Sequence, residues 1–184
     1  MTTQTNTFET RIFGRTFTGQ AHSLSAWFVL ALRLTIGYAF LHAGYVKVIE
    51  AGWSANGYLA NVAATNGNPL QGMFAWMAAT PWFVEFVNVA VPWGELLIGL
   101  GIIFGALTRL AAFFGAFMMA MFYFGNWDIA HGYVNGDLTY MIVFLAVAAL
   151  GAGRIVGLDA YIERLDLGGT ALIERYPVLG YLLG

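Results

Sequence analysis

Two charged side chains stand where charge is expensive. Arg33 lies inside the apolar run WFVLALRLTIGYAFLHAGYV, and Glu95 inside FVNVAVPWGELLIGLGIIF. An ionisable group in a membrane-spanning helix costs about 2.5–3.5 kcal/mol, so each needs a partner or a task. At a helical rise of about 1.5 Å per residue, both lie roughly 10 Å from the same face of a bilayer. Matching depths predict a buried ion pair, Arg33–Glu95, which would orient two helices or handle protons. Glu85, Asn88, Pro92 and Glu95 recur at i, i+3, i+7 and i+10, one face of a helix. Pro92 has no N–H to give, so the carbonyl of Asn88 is freed beside that face. Such a stripe must point into a bundle, because lipid would leave every group on it without a partner.

A second set gathers toward the opposite end: His42, Lys47, Glu85, Asn126, Asp128, His131, Asp137 and Tyr140. His42, Glu85 and Asp137 have the proton-exchanging chemistry of a relay. Tyr140 and Trp127 could add a hydroxyl and an indole N–H to a cofactor's rim. The plainer reading makes His42 a hydrogen-bonded helix residue, and Lys47, Asp128 and His131 solvated loop charges. No HxxH, ExxH or HExxH spacing offers a metal site, and the histidines form no haem pair. The absence of cysteine excludes disulfides and thiol relays. No metal, haem or flavin is therefore expected in this chain.

The elements that would position these groups follow from composition. Of 184 residues, 59% are hydrophobic and 10% charged, against about a quarter charged in soluble domains; mean hydropathy is +0.69. Surplus apolar surface of this size must face a lipid bilayer. A net charge of −2 gives no basic stripe for nucleic acid. Four apolar stretches, residues 26–49, 82–107, 110–124 and 138–151, predict an all-α integral membrane four-helix bundle over residues 26–153. Residues 1–25 read as a cytoplasmic arm, and residues 154–184 as an amphipathic cytoplasmic tail. The long connection, residues 50–81, breaks at Gly67-Asn68-Pro69 into two pieces apolar enough to form short surface helices capping the outer end. Arg11, Arg15, Arg109, Arg154, Arg164 and Arg175 all fall on one side if the first helix starts inside. That bias predicts a multi-pass protein of the cell membrane with both termini cytoplasmic.

Three segments together carry a resemblance. LRLTIGYAFLHAGYVKV, PWGELLIGLGIIFGALTRLAA and NGDLTYMIVFLAVAALGAGRIVGLDAYIER resemble the signatures of DoxX-type membrane proteins. The long first loop, with Gly52-Trp53 and Asn68-Pro69, is similar to the DoxD-like branch, known as the small membrane subunit of thiosulfate:quinone oxidoreductase. The resemblance covers roughly residues 30–164. It implies a four-helix membrane subunit that works beside a second subunit or redox partner, with quinone as cofactor, in sulfur or related redox metabolism. On that view the chain acts as an oxidoreductase only together with its partner. Two alternatives stay open: a non-enzymatic anchor or assembly subunit, and a small proton-coupled transporter using the Glu85–Glu95 stripe. A homo-oligomer is compatible with each.

Overall fold

A computed structural model describes residues 6–22, 24–65, 67–128, 132–166 and 168–184, so His131 lies outside the described residues. The chain is mostly helical. Three helices are long and apolar enough to cross a membrane: α1 (Ser25–Ile49), α4 (Pro81–Phe104) and α5 (Thr108–Gly125). A fourth apolar helix, α6 (Gly136–Ala149), has 14 residues, about 21 Å of rise against a hydrocarbon core of about 30 Å. Between α1 and α4 lie α2 (Asn56–Ala64) and α3 (Gln71–Ala79); α7 (Asp159–Ile162) and α8 (Leu172–Arg175) are single turns of the tail.

The start of the chain adds an element that the sequence reading left out. β1 (Asn6–Ile12) and β2 (Arg15–Ala21) pair antiparallel from Asn6–Ala21 to Ile12–Arg15. Phe13 and Gly14, both at positive φ (49° and 76°), form the two-residue turn that matches strand twist. The strands are rich in Thr, which suits extended backbone, but they lack the apolar alternation that announces a buried face.

α1 and α4 run antiparallel and touch through glycines. A Cβ on Gly44 would lie 2.3 Å from the Leu96 backbone nitrogen, one on Gly99 2.3 Å from that of Leu41, and one on Gly37 2.8 Å from the Ile103 side chain. Small residues let membrane helices approach to backbone contact. The core behind this seam holds Ile36, Phe40, Ile98, Ile102, Phe144 and Val147, with Phe40 and Phe144 edge to face at 4.7 Å. Gly115 makes room for the Phe144 ring, which locks α5 to α6. Trp27, Phe86, Trp93, Leu97, Phe113, Phe117 and Leu145 point outward and stay exposed. Large apolar groups outside and small ones inside are the reverse of a soluble bundle, and fit lipid as the surrounding solvent.

The glycine contacts also fix a register. Gly44 meets Leu96, Leu41 meets Gly99 and Gly37 meets Ile103, a constant offset along both helices. Extended four residues, it sets Arg33 level with the turn between α4 and α5. The ends of α1 and α4 are thus staggered by about ten residues, or roughly 15 Å. Beyond the end of α1, at what we term the cap end, α2 and α3 complete the bundle. Ala55, Leu59, Val62 and Phe74 are buried there against Val84 and Val87 of α4 and Phe124 of α5. The Asn68 side chain donates to the Phe124 carbonyl (2.6 Å) and accepts from Leu70 N–H (2.8 Å), pinning the break between the two short helices.

Candidate functional site

The stagger overturns the expected Arg33–Glu95 pair. That expectation took the helix ends to be level; in the fold the two residues sit at different heights. Arg33, 1% exposed, donates instead to the backbone carbonyls of Ala152 (2.6 Å), Ile155 (2.8 Å) and Val156 (3.0 Å). Gly105 and Gly157 leave the space its guanidinium fills, since a Cβ on either would lie within 3 Å of Arg33 Nη1. The α4–α5 turn needs Gly105 and Leu107 in the left-handed region (φ 63° and 51°). Asp159, fully buried, holds that turn by accepting from Leu107 N–H (2.7 Å), Thr108 N–H (2.9 Å) and Gly184 N–H (3.1 Å). Arg109 adds a bond to the Gly180 carbonyl. Beside this knot, Arg154 grips Glu163 through two nitrogens at 2.7–3.0 Å. That grip holds the Arg154 guanidinium above its ordinary value, chiefly through the hydrogen bonds. Arg33, Asp159 and Arg109 are thus committed to closing the turn end of the bundle.

Glu95 pairs with Lys47. Their Nζ and Oε2 atoms are 2.5 Å apart, with the Glu95 side chain 4% and the Lys47 side chain 25% exposed. The α5 packing, Gly94 on Met118 and Gly101 on Ala111, sets Glu95 level with the middle of α5. Lys47, read from sequence as a solvated loop charge, is therefore an internal one. The signal that could have found it is the constant spacing of small residues on the two helices, which fixes register independently of where each helix begins.

Toward the cap, Asn88 accepts from Ser54 Oγ (3.3 Å) and Ala55 N–H (2.9 Å). Tyr58 donates to Asn126 Oδ1 (3.4 Å), and Asn126 donates to Asp137 Oδ2 (2.8 Å). Gly125 is required here, since a Cβ would fall 1.9 Å from the Tyr58 hydroxyl. Burial first, and the Asp137 charge second, push the Tyr58 phenol up to about 12. Asp137 also sits in the first turn of α6, capped by Asn135, whose side chain accepts from Leu138 N–H.

The relay candidates are not brought together. No hydrogen bond or ion pair among the described residues joins His42, Glu85 and Asp137 to one another. His42 is exposed on the outside of α1, its ring 6.0 Å from that of Tyr38. Glu85 is exposed near the start of α4 and Tyr140 on α6. Trp127 stacks on Phe124 (5.9 Å, 15°) with Tyr123 and Tyr133 edge-on, and its buried Nε1 has no hydrogen-bond partner. No group of three His, Asp or Glu among the described residues could hold a metal ion.

Against known proteins, a family model for DoxX matches residues 28–126. This chain belongs to the DoxX family. The match takes in α1, the cap helices, α4 and α5, and so both halves of the glycine seam and the Lys47–Glu95 pair. The DoxX chain's third signature segment, with Gly153-Arg154 and Leu158-Asp159, lies beyond that match and folds back onto Arg33 and the α4–α5 turn. No curated protein and no solved structure gives a match to this chain.

Proposed function

We propose that the chain is the membrane subunit of a quinone-linked oxidoreductase of the DoxD-like branch, receiving electrons from a second subunit. In this reading it spans the cell membrane four times, with α6 as the fourth span and both termini cytoplasmic. The arginines at the turn end and in the tail support that orientation.

The observation that carries the reading is His42. An imidazole turned outward from an apolar helix, beside the Tyr38 phenol, is costly in plain lipid and needs a ligand or a partner. A planar carbonyl compound with an apolar tail reaches such a position through the bilayer itself. When bound, a quinone would supply two-electron, two-proton acceptor chemistry. His42 would then donate a hydrogen bond to its ring oxygen and Tyr38 would flank the ring. Asp137, with Asn126 and Tyr58, would exchange protons with the outer aqueous phase, as would the exposed Glu85. Trp127, with a free indole N–H, and Tyr140 are the further candidate contacts near the outer surface.

The test is extraction. Protein purified in mild detergent from native membranes should carry a quinone detectable by chromatography of its extracted lipids. His42→Leu should lose it at unchanged Tm. Wild-type protein free of quinone would defeat the reading and leave the anchor role. Tags placed at Met1 and Gly184 should resist outside labelling of intact cells; labelling at either would overturn the topology.

A further inference from the structure

We propose that Lys47 and Glu95 form a proton-exchange site in the middle of the bundle, reached from the cap end along the Asn88 face of α4. The contrast with Arg33 is the starting point. Arg33 is sealed at 1% exposure and bonded to three carbonyls, the geometry of a permanent clamp. Glu95 is equally sealed, but its partner is one flexible ammonium whose side chain keeps a quarter of its surface open. A lysine can keep its charge while its stem bends toward water, so the pair can open on one side.

The path to it is polar. Ser54, exposed in the loop after α1, donates to Asn88. One turn further along α4, Pro92 leaves the Asn88 carbonyl without its helical N–H donor. Glu95 follows on the same face three residues later. This is the run of groups along which water could approach a carboxylate at mid-depth.

Little else on the neighbouring elements competes for that proton. On α1 the other ionisable groups are Arg33, clamped at the far end, and the exposed Tyr38, His42 and Tyr45. On α4 Glu85 is exposed; on α5 Arg109 and Tyr123 lie near opposite ends; on α6 Asp137 and Tyr140 lie within two turns of the start. In the cap Glu50 is exposed and Tyr58 is bonded to Asn126. Among the described residues Glu95 has a single charged contact, Lys47. The step is a bare proton transfer. A proton from water adds to the Glu95 carboxylate, the bridge opens, and Lys47 keeps its ammonium; loss of the proton re-forms the bridge. Nothing is oxidised or reduced, and the site goes beyond the quinone reading: either can hold without the other.

The experiment uses the full chain in lipid vesicles and follows the infrared carbonyl stretch of a protonated carboxylic acid. Wild type should gain that band reversibly on acidification, and Glu95→Gln should lack it. Labelling with a hydrophobic carbodiimide, which attacks carboxylic acids in their protonated form, should reach Glu95 at the acid end. In Lys47→Met it should reach Glu95 more readily than in wild type, since the counter-charge is gone. Labelling confined to Lys47→Met would mean that the wild-type pair never opens, and would overturn the proposal. Absence of both band and label in both proteins would overturn it equally, because a carboxylate that takes up no proton exchanges none.

Discussion

The two ends of this bundle spend their buried charges differently. At the turn end, Arg33 and Asp159 face backbone: one guanidinium on three carbonyls, one carboxylate on three N–H groups. In the middle and at the cap, charge faces side chains: Lys47 on Glu95 and Asp137 on Asn126. Backbone partners cannot titrate or swing away, so the first arrangement closes a structure. Side-chain partners can swing away, so the second can be switched. A buried charge in a membrane helix is thus not by itself a functional group; what it is bonded to decides.

The largest effect should come from breaking the closed end. Asp159→Ala removes the acceptor of three N–H groups at once, two of them in buried bonds, and should cost about 3 kcal/mol. Asp159→Asn should fall between, because its amide keeps an acceptor oxygen but turns a donor toward another donor. Detergent melting curves check the order. Wild-type stability in Asp159→Ala would mean that the tail and the turn hold without the carboxylate, and the comparison would lose one side.

The seam that separates the two regions comes next. Gly44→Ala places a methyl group 2.3 Å from a backbone nitrogen of α4, where neither side can yield by a rotamer change. The overpacking should cost about 1–3 kcal/mol and should weaken the Lys47–Glu95 contact by parting the helices. Gly57→Ala, a helical position with open space around it, is the control and should melt no lower than wild type.

The switchable pair should prove milder than the clamp. Breaking a buried ion pair commonly costs about 3–5 kcal/mol, because a charge is left alone. Here Lys47→Met leaves a carboxyl group that can neutralise itself with a proton, so the loss should be nearer about 1–2 kcal/mol. Lys47→Met combined with Glu95→Met should recover most of it. If the double variant melts as low as the singles added together, the contact does not couple the two helices.

How much of this was legible beforehand depends on which physical signal carried it. The apolar stretches became helices nearly at the residues expected, because hydrophobic length is read directly along the chain. Gly67-Asn68-Pro69 divided the cap into its two helices for a similar reason, since turn chemistry is local. Register is not local. The pairing of Arg33 with Glu95 failed because the depth of a residue was measured from its own helix end, and α1 starts well beyond the end of α4. Only the close approaches at Gly37, Gly44 and Gly99 reveal the offset. Asp159 was read as part of an amphipathic tail, because no pattern within the tail shows that a carboxylate will fold back onto a turn some fifty residues earlier. The hairpin at the start escaped for want of apolar alternation.

The smallest effect belongs to Tyr58, and it sharpens the cap side of the comparison through its sign. At neutral pH, Tyr58→Phe removes one long hydrogen bond of 3.4 Å to Asn126 and should cost under about 1 kcal/mol. At alkaline pH the consequence reverses. The phenol has an ordinary value of 10.0 and is pushed up to about 12 in the fold. Below about pH 10 it is protonated in the folded and unfolded chains alike, so stability does not depend on pH through this group. Between about pH 10 and about pH 12 the unfolded chain releases the proton while the folded chain keeps it, so stability falls across that window. Phenylalanine has no proton to lose. Tyr58→Phe should therefore melt slightly below wild type at neutral pH and lose less stability than wild type as pH climbs through the window. Because the Asp137 charge contributes to holding that proton in the fold, Asp137→Asn should end the decline at a lower pH and so lessen the alkaline loss, by less than Tyr58→Phe does. Parallel alkaline limbs for Tyr58→Phe and wild type would show that the phenol already titrates as it does in the unfolded chain, and that the cap leaves it open to water.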